Sequence, residues 1–259
     1  MNKLTKFKPI LFVVMASFLL SGCRNKPSQK LTIATAANVQ FAMEELTELF
    51  TQETGIETEI VLGSSGKLLA QIKEGAPFDL FVSANMKYPE DLYKNGFAED
   101  EPKVYAWGKL VMWTMYEDIK PSISLLLSDS VKHIAIANAK TAPYGIAAEQ
   151  LFSNLKIYDL VKDKLVYGES ISQTNQFIIS GAAEVGLTAM SVVMSPEMQG
   201  KGRWASLDDS LYMPIAQGAV VIKKKDQDTT KAEQFYAFLF SEKAQQVLAA
   251  YGYITHEQP

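Results

Sequence analysis

The chain has 259 residues but only one cysteine, two histidines and two arginines, and each shortage excludes a class of chemistry. A single Cys rules out a disulfide framework and any cysteine-based metal site. His133 and His256 are too few for a histidine-rich metal cluster. Arginine is the usual bidentate fork for carboxylate or phosphate, yet Arg24 and Arg203 stand alone against 23 Lys. Arg203 lies in Gln199-Gly200-Lys201-Gly202-Arg203, which is expected to be a surface loop. With 25 basic and 29 acidic residues and no basic cluster of the required kind, nucleic acid is not a partner. After the first 22 residues no apolar run approaches the ~20 needed to cross a bilayer.

What stands at the N-terminus is specific. Lys3, Lys6 and Lys8 form a basic head, residues 9–20 are nearly all apolar, and Leu20-Ser21-Gly22-Cys23 has the pattern of a bacterial lipobox. The expectation is a lipoprotein signal peptide over 1–22, lipidation of Cys23, and a polar linker over 23–30. The product would be exported and tethered by lipid to a bacterial membrane in the periplasm or cell envelope. Removing 22 residues leaves 237, enough for one large domain or two of about 100. Three Lys leave with the signal, so 22 basic residues then face 29 acidic ones, a net charge near −7.

From Leu31 the pattern alternates strand, turn and helix. Residues 31–36 predict a strand. Asn38 stands at the start of a helix whose apolar face is Ala42, Met43, Leu46, Leu49 and Phe50, stopped by Gly55. Strands are expected over 57–62 and 78–82, with a helix carrying Leu68, Leu69 and Ile72 between them and another over 89–95. A single long strand is expected over 104–115. Strands then follow at 132–137, 165–167, 185–189 and 219–222. They are interleaved with helices from about Gly145 to Leu155 and through Ile179, and residues 232–250 read as one long amphipathic helix. This alternation predicts α/β architecture with parallel sheets, and its two batches predict two lobes. Lobe I would comprise 31–105 and 219–259, and lobe II 106–218, joined by crossing strands that act as a hinge.

Two turns in the first batch share a design: Ala36-Ala37-Asn38 and Gly63-Ser64-Ser65-Gly66 each leave a strand and enter a helix. Strand C-termini of open α/β sheets form the ligand crevice, and helix starts offer unpaired N–H groups and a positive dipole end to an anion. Taken singly, Asn38 and Ser65 read as helix caps. Ala142-Pro143-Tyr144-Gly145 and Glu169-Ser170-Ile171-Ser172 in the second batch repeat the design, so four helix starts can converge on one small anion.

The chain resembles the molybdate/tungstate-binding proteins of ABC importers. The resemblance covers Leu31–Tyr253 and rests on Ala34-Thr35-Ala36-Ala37-Asn38-Val39, Gly63-Ser64-Ser65-Gly66-Lys67-Leu68, and most specifically Gly75-Ala76-Pro77-Phe78-Asp79-Leu80-Phe81-Val82-Ser83-Ala84. Ala142-Pro143-Tyr144-Gly145, Ala183-Glu184-Val185-Gly186 and Tyr251-Gly252-Tyr253 also match. It implies a two-lobed type II periplasmic-binding-protein fold, no enzymatic activity and no cofactor. It further implies molybdate or tungstate as ligand, an ABC permease as partner, and a monomer. Oxyanion contacts would fall on Asn38, Ser65, Tyr144 and Ile171, with the metal held only through its oxygens. Asn38 and Ser65 would use side chains and backbone, Tyr144 and Ile171 backbone N–H. Where some members place a donating Tyr after the Gly186 strand, Ala189 stands here, and the Asn38 amide is the expected replacement.

Other motifs carry less. The serine loop has a phosphate-loop flavour, but Leu68 stands where Mg²⁺ would need Ser or Thr. A receptor for phosphate, sulfate or a phosphonate is the alternative within the same class. The enzyme alternative is an exported serine hydrolase using Ser64 or Ser65, but the Gly-x-Ser-x-Gly elbow is absent. Trp107, Trp113 and Trp204 read as packing residues and Lys223-Lys224-Lys225 as a solvated turn.

Overall fold

A computed structural model describes residues 30–225 and 228–255. Residues 1–22, Cys23 and His256 lie outside them. Among the described residues no helix is long and apolar enough to cross a membrane.

The first half runs β1 (Leu31–Ala36), a 3₁₀ turn (Ala37–Val39), α1 (Gln40–Thr54), β2 (Thr58–Gly63), α2 (Ser65–Lys73), β3 (Leu80–Val82), α3 (Lys87–Lys94) and β4 (Lys103–Gly108). The middle comprises β5 (Leu110–Thr114), α4 (Ile123–Leu126), β6 (Ile134–Ala137), α5 (Pro143–Asn154), α6 (Tyr158–Val161), β7 (Leu165–Gly168), α7 (Ile171–Ile179), β8 (Val185–Ala189), α8 (Met190–Val193) and β9 (Arg203–Ser206). The chain ends with β10 (Ile215–Val221), α9 (Thr230–Leu239) and α10 (Glu242–Ala250).

Two five-stranded sheets result, ordered β2-β1-β3-β10-β4 and β7-β6-β8-β5-β9. In the first, β1 is parallel to β2 and β3, and β10 runs against both β3 and β4. In the second, β6 is parallel to β7 and β8, and β5 runs against β8 and β9. Each sheet is therefore mixed, with one strand opposing four, where the alternation had suggested parallel sheets. An apolar run cannot report strand direction, because a central strand is buried on both faces either way.

The expected long strand over 104–115 is two strands in different sheets, broken at Lys109. The lobe limits expected at 105/106 and 218/219 cut through β4 and β10, both of which pair within the first sheet. The chain thus passes between the sheets at Lys109 and over residues 207–214. The expected helix over 232–250 is also two, because Ser241 starts a new one by accepting from Ala244 N–H. Arg203 opens an edge strand rather than lying in a loop. Lys224 is not solvated as expected: its amino group donates to Asp79 Oδ1 at 2.5 Å and to Pro77 O at 3.3 Å.

Both faces of the first sheet are covered. Phe50, Phe235 and Phe238 interlock on one side, with Phe50 and Phe235 edge to face at 4.9 Å. Leu68, Ile72, Phe81 and Leu92 fill the other. Trp113 anchors the second lobe, fully buried, with its indole N–H donating to Lys201 O at 3.0 Å.

Candidate functional site

Five strand ends point their following loops at one place. The turn after β1, the loop entering α2, the segment after β3, and the starts of α5 and α7 together line a narrow cavity of about 10 Å³. Asn38, Ser65, Tyr144 and Ile171 all line it, together with Ser64 and Ala84. Ser65 and Ile171 are the first residues of α2 and α7, and Tyr144 is the second of α5, behind Pro143. First-turn N–H groups have no partner inside their helix, so each brings a donor and the positive end of a dipole. Proline at the first position of α5 gives up only an N–H that the helix would leave unpaired.

The side chains behave differently from expectation. Asn38 caps no helix. Both hydrogens of its amide are already used, on Gln217 Oε1 at 2.8 Å and on the Tyr253 hydroxyl at 3.0 Å. Its carbonyl accepts from Ser191 Oγ at 2.6 Å, and the Tyr253 hydroxyl lies 3.1 Å away. Asn38 is therefore gripped from three directions and presents backbone, not amide, to the cavity. The amide expected to replace the donor missing at Ala189, in the buried β8 strand, is engaged here by Gln217 and Tyr253.

Ser65 does not cap α2 either: its hydroxyl accepts from Ala84 N–H at 2.9 Å and keeps its own hydrogen to donate. Ser64 occupies the cap position, yet its Oγ is buried without any partner. Among the described residues five buried side-chain polar atoms lack a partner. One of them, Ser64, lines this cavity; Thr141 and Ser172 each adjoin a lining residue, Ala142 and Ile171. A buried hydroxyl left unpaired costs about 1–3 kcal/mol, and the Ser64 hydroxyl is free to donate to an acceptor placed in the cavity.

No Lys, Arg, His, Asp or Glu lines the cavity. Its one ionisable group, the Tyr144 phenol, is pushed well above its usual range by burial and then by the nearby Tyr253 and Tyr105 hydroxyls. It stays neutral. Ser64 and Ser65 consequently have no base beside them. His133 instead sits on the surface beside the Glu184 carboxylate, 3.7 Å away, and is no part of the site.

The two lobes are closed over the cavity. Gly66 N–H donates to Thr141 O at 2.9 Å, and the Lys67 amino group pairs with Glu169 at the rim. Ser191 to Asn38, Tyr253 to Ser191 and Gln217 to Tyr144 are buried links across the same divide. Gln217, Tyr105, Tyr253 and Ser191 were not anticipated as parts of the site. The available signal was Gln217 itself, a lone amide within the apolar strand Ile215–Val221.

Two mixed α/β lobes closed over a neutral cavity lined with donors define a cleft-type receptor for a small solute. The chain belongs to the bacterial extracellular solute-binding protein family, whose model matches residues 31–254. It is 37% identical over 223 residues to a molybdate-binding protein of Rhodobacter capsulatus, spanning 86% of this chain and 87% of the relative. A candidate ABC-transporter substrate-binding lipoprotein of Bacillus subtilis is 26% identical over 257 residues, spanning 96% and 98%. Among solved structures, the periplasmic molybdate-binding protein of Azotobacter vinelandii superposes with a TM-score of 0.83 at 33% identity. That match covers 88% of this chain and all of that one.

Proposed function

We propose that this protein captures molybdate or tungstate between its lobes and delivers it to an ABC permease. The observation that carries this is the closed cavity whose polar groups are neutral and whose helix starts turn donors inward from both lobes. A fully ionised tetrahedral oxyanion offers only acceptors, and each charge-assisted hydrogen bond to it contributes about 1.5–3 kcal/mol. The backbone N–H groups of Asn38, Ser65, Tyr144 and Ile171 and the Ser64 and Ser65 hydroxyls are the contacts. Similarity to molybdate-binding proteins at 33–37% identity supports the choice of ligand. Molybdate and tungstate differ from sulfate chiefly in longer bonds to oxygen, so cavity width must discriminate.

The protein is a receptor, not an enzyme. It works as a monomer in the periplasm or cell envelope, held to a bacterial membrane by lipid on Cys23. The Leu20–Cys23 lipobox and the lipoprotein relative support the anchor. Titration calorimetry with molybdate, tungstate, sulfate and phosphate tests the ligand. Molybdate and tungstate should bind at least about tenfold more tightly than the others, a difference of ~1.4 kcal/mol or more. Equal or tighter binding of sulfate or phosphate would make this a receptor for another oxyanion.

A further inference from the structure

We propose that Gln217 is the spacer that sets the width of the closed cavity, and so determines which anion fits; this holds only if the cavity is the oxyanion site proposed above. Gln217 is fully buried in β10. Its Oε1 accepts from Asn38 Nδ2 at 2.8 Å and from the Tyr105 hydroxyl at 2.9 Å. Its Nε2 donates to the Tyr144 hydroxyl at 3.3 Å. Asn38 belongs to the first lobe and Tyr144 to the second. One planar amide therefore spans from a first-lobe cavity loop to a second-lobe cavity helix. An amide plane cannot stretch, and Tyr144 continues it as a rigid ring to its own helix start.

The surrounding backbone is shaped for this link. A bulge between β10 and β4 leaves Tyr105 without a register partner opposite Gln217 and Gly218. Bulges re-aim side chains, and here the Tyr105 hydroxyl meets Gln217 Oε1. Gly108, at the end of β4, lies where a methyl group would come within 2.0 Å of the Tyr144 hydroxyl and 2.5 Å of Gln217 Nε2. Only glycine leaves room for that bond. The lobes thus close onto a stop of protein atoms, and the gap between opposing N–H donors is fixed before an anion arrives. An anion with shorter bonds cannot draw the donors inward, so it binds with long contacts.

The test is a double-mutant cycle with Gln217→Met, which keeps bulk but removes all three hydrogen bonds, and Tyr144→Phe, which removes only the bond from Gln217 to Tyr144. Molybdate and sulfate affinities are measured by calorimetry, and the melting temperature of ligand-free protein is measured alongside. Each single variant should weaken molybdate binding about tenfold and narrow its advantage over sulfate. The double variant should be no weaker than the weaker single, because both remove the same link. Unchanged affinity and selectivity with only a lower melting temperature would overturn the spacer role, and so would losses that multiply in the double variant. If Gln217→Met does not fold, Tyr144→Phe must show the selectivity loss by itself, or the proposal fails. Wild-type protein that binds neither anion would overturn the site assignment and the spacer together. Wild-type binding with unaffected variants would overturn the spacer alone.

Discussion

Gly66→Ala should weaken anion binding while leaving both lobes folded. Gly66 is the second residue of α2, and its N–H crosses to Thr141 O at 2.9 Å. A methyl group there would meet Thr141 Cα at 3.0 Å, Thr141 O at 3.1 Å and the Tyr88 hydroxyl at 3.1 Å. The Tyr88 hydroxyl is the end of a side chain and can give way. The Thr141 backbone belongs to the other lobe, and it yields by a few tenths of an ångström only if the cleft opens. Within the helix the change is favourable by about 1 kcal/mol, so the ligand-free protein should be at least as stable. Closure bears the cost. Loosening one backbone hydrogen bond forfeits about 1 kcal/mol, and lengthening the contacts to the anion adds a similar amount. Affinity should fall about tenfold to fiftyfold, equivalent to ~1.4–2.3 kcal/mol. Calorimetry gives the affinity and thermal unfolding the stability, while small-angle scattering follows closure on adding molybdate. An affinity within about twofold of wild type would refute the reasoning, as would a fall in melting temperature matching the loss of binding.

Three further outcomes are expected. Ser65→Ala should cost about 1.5–3 kcal/mol of binding, tenfold to a hundredfold, whereas Ser64→Ala should lower affinity without lowering ligand-free stability, since it removes an unpaired buried hydroxyl. Affinity unchanged in Ser64→Ala would mean that this hydroxyl does not meet the ligand. Burial pushes the Tyr253 phenol up to about 12, and the resulting stability is fully present below its ordinary value near 10. As pH rises through the folded value, about 2–3 kcal/mol is lost, so denaturant titrations of Tyr253→Phe should show a shallower alkaline decline than wild type. Equal slopes would contradict the assignment. Cys23→Ser should abolish lipid labelling and move the protein to the aqueous phase in detergent partitioning; retained labelling would exclude Cys23 as the anchor.

Much of the fold was legible because its signals are local. The apolar segment Leu31–Ala36, the stop at Gly55 and the small polar turns at Ser64 and Ile171 each carry their cause within a few residues. Strand direction was not legible, since β5 and β10 are as apolar as their parallel neighbours. The split at Lys109 is a change of sheet, and nothing at that residue type announces it. The same division holds at the site. Backbone donors could be located from helix starts, but the use of the Asn38 amide depends on Gln217 and Tyr253, which are 179 and 215 residues away in sequence. A short polar side chain after a strand reads as a cap or as a ligand donor, and only tertiary contact shows which groups hold it.

The most direct measurement is a crystal structure of the protein with tungstate, located by anomalous scattering. A single peak is expected in the cavity between the lobes, with its oxygens within hydrogen-bond reach of the Ser65 hydroxyl and the Asn38, Tyr144 and Ile171 backbone N–H groups. A peak held instead by surface lysines, or none between the lobes at saturating tungstate, would contradict the account.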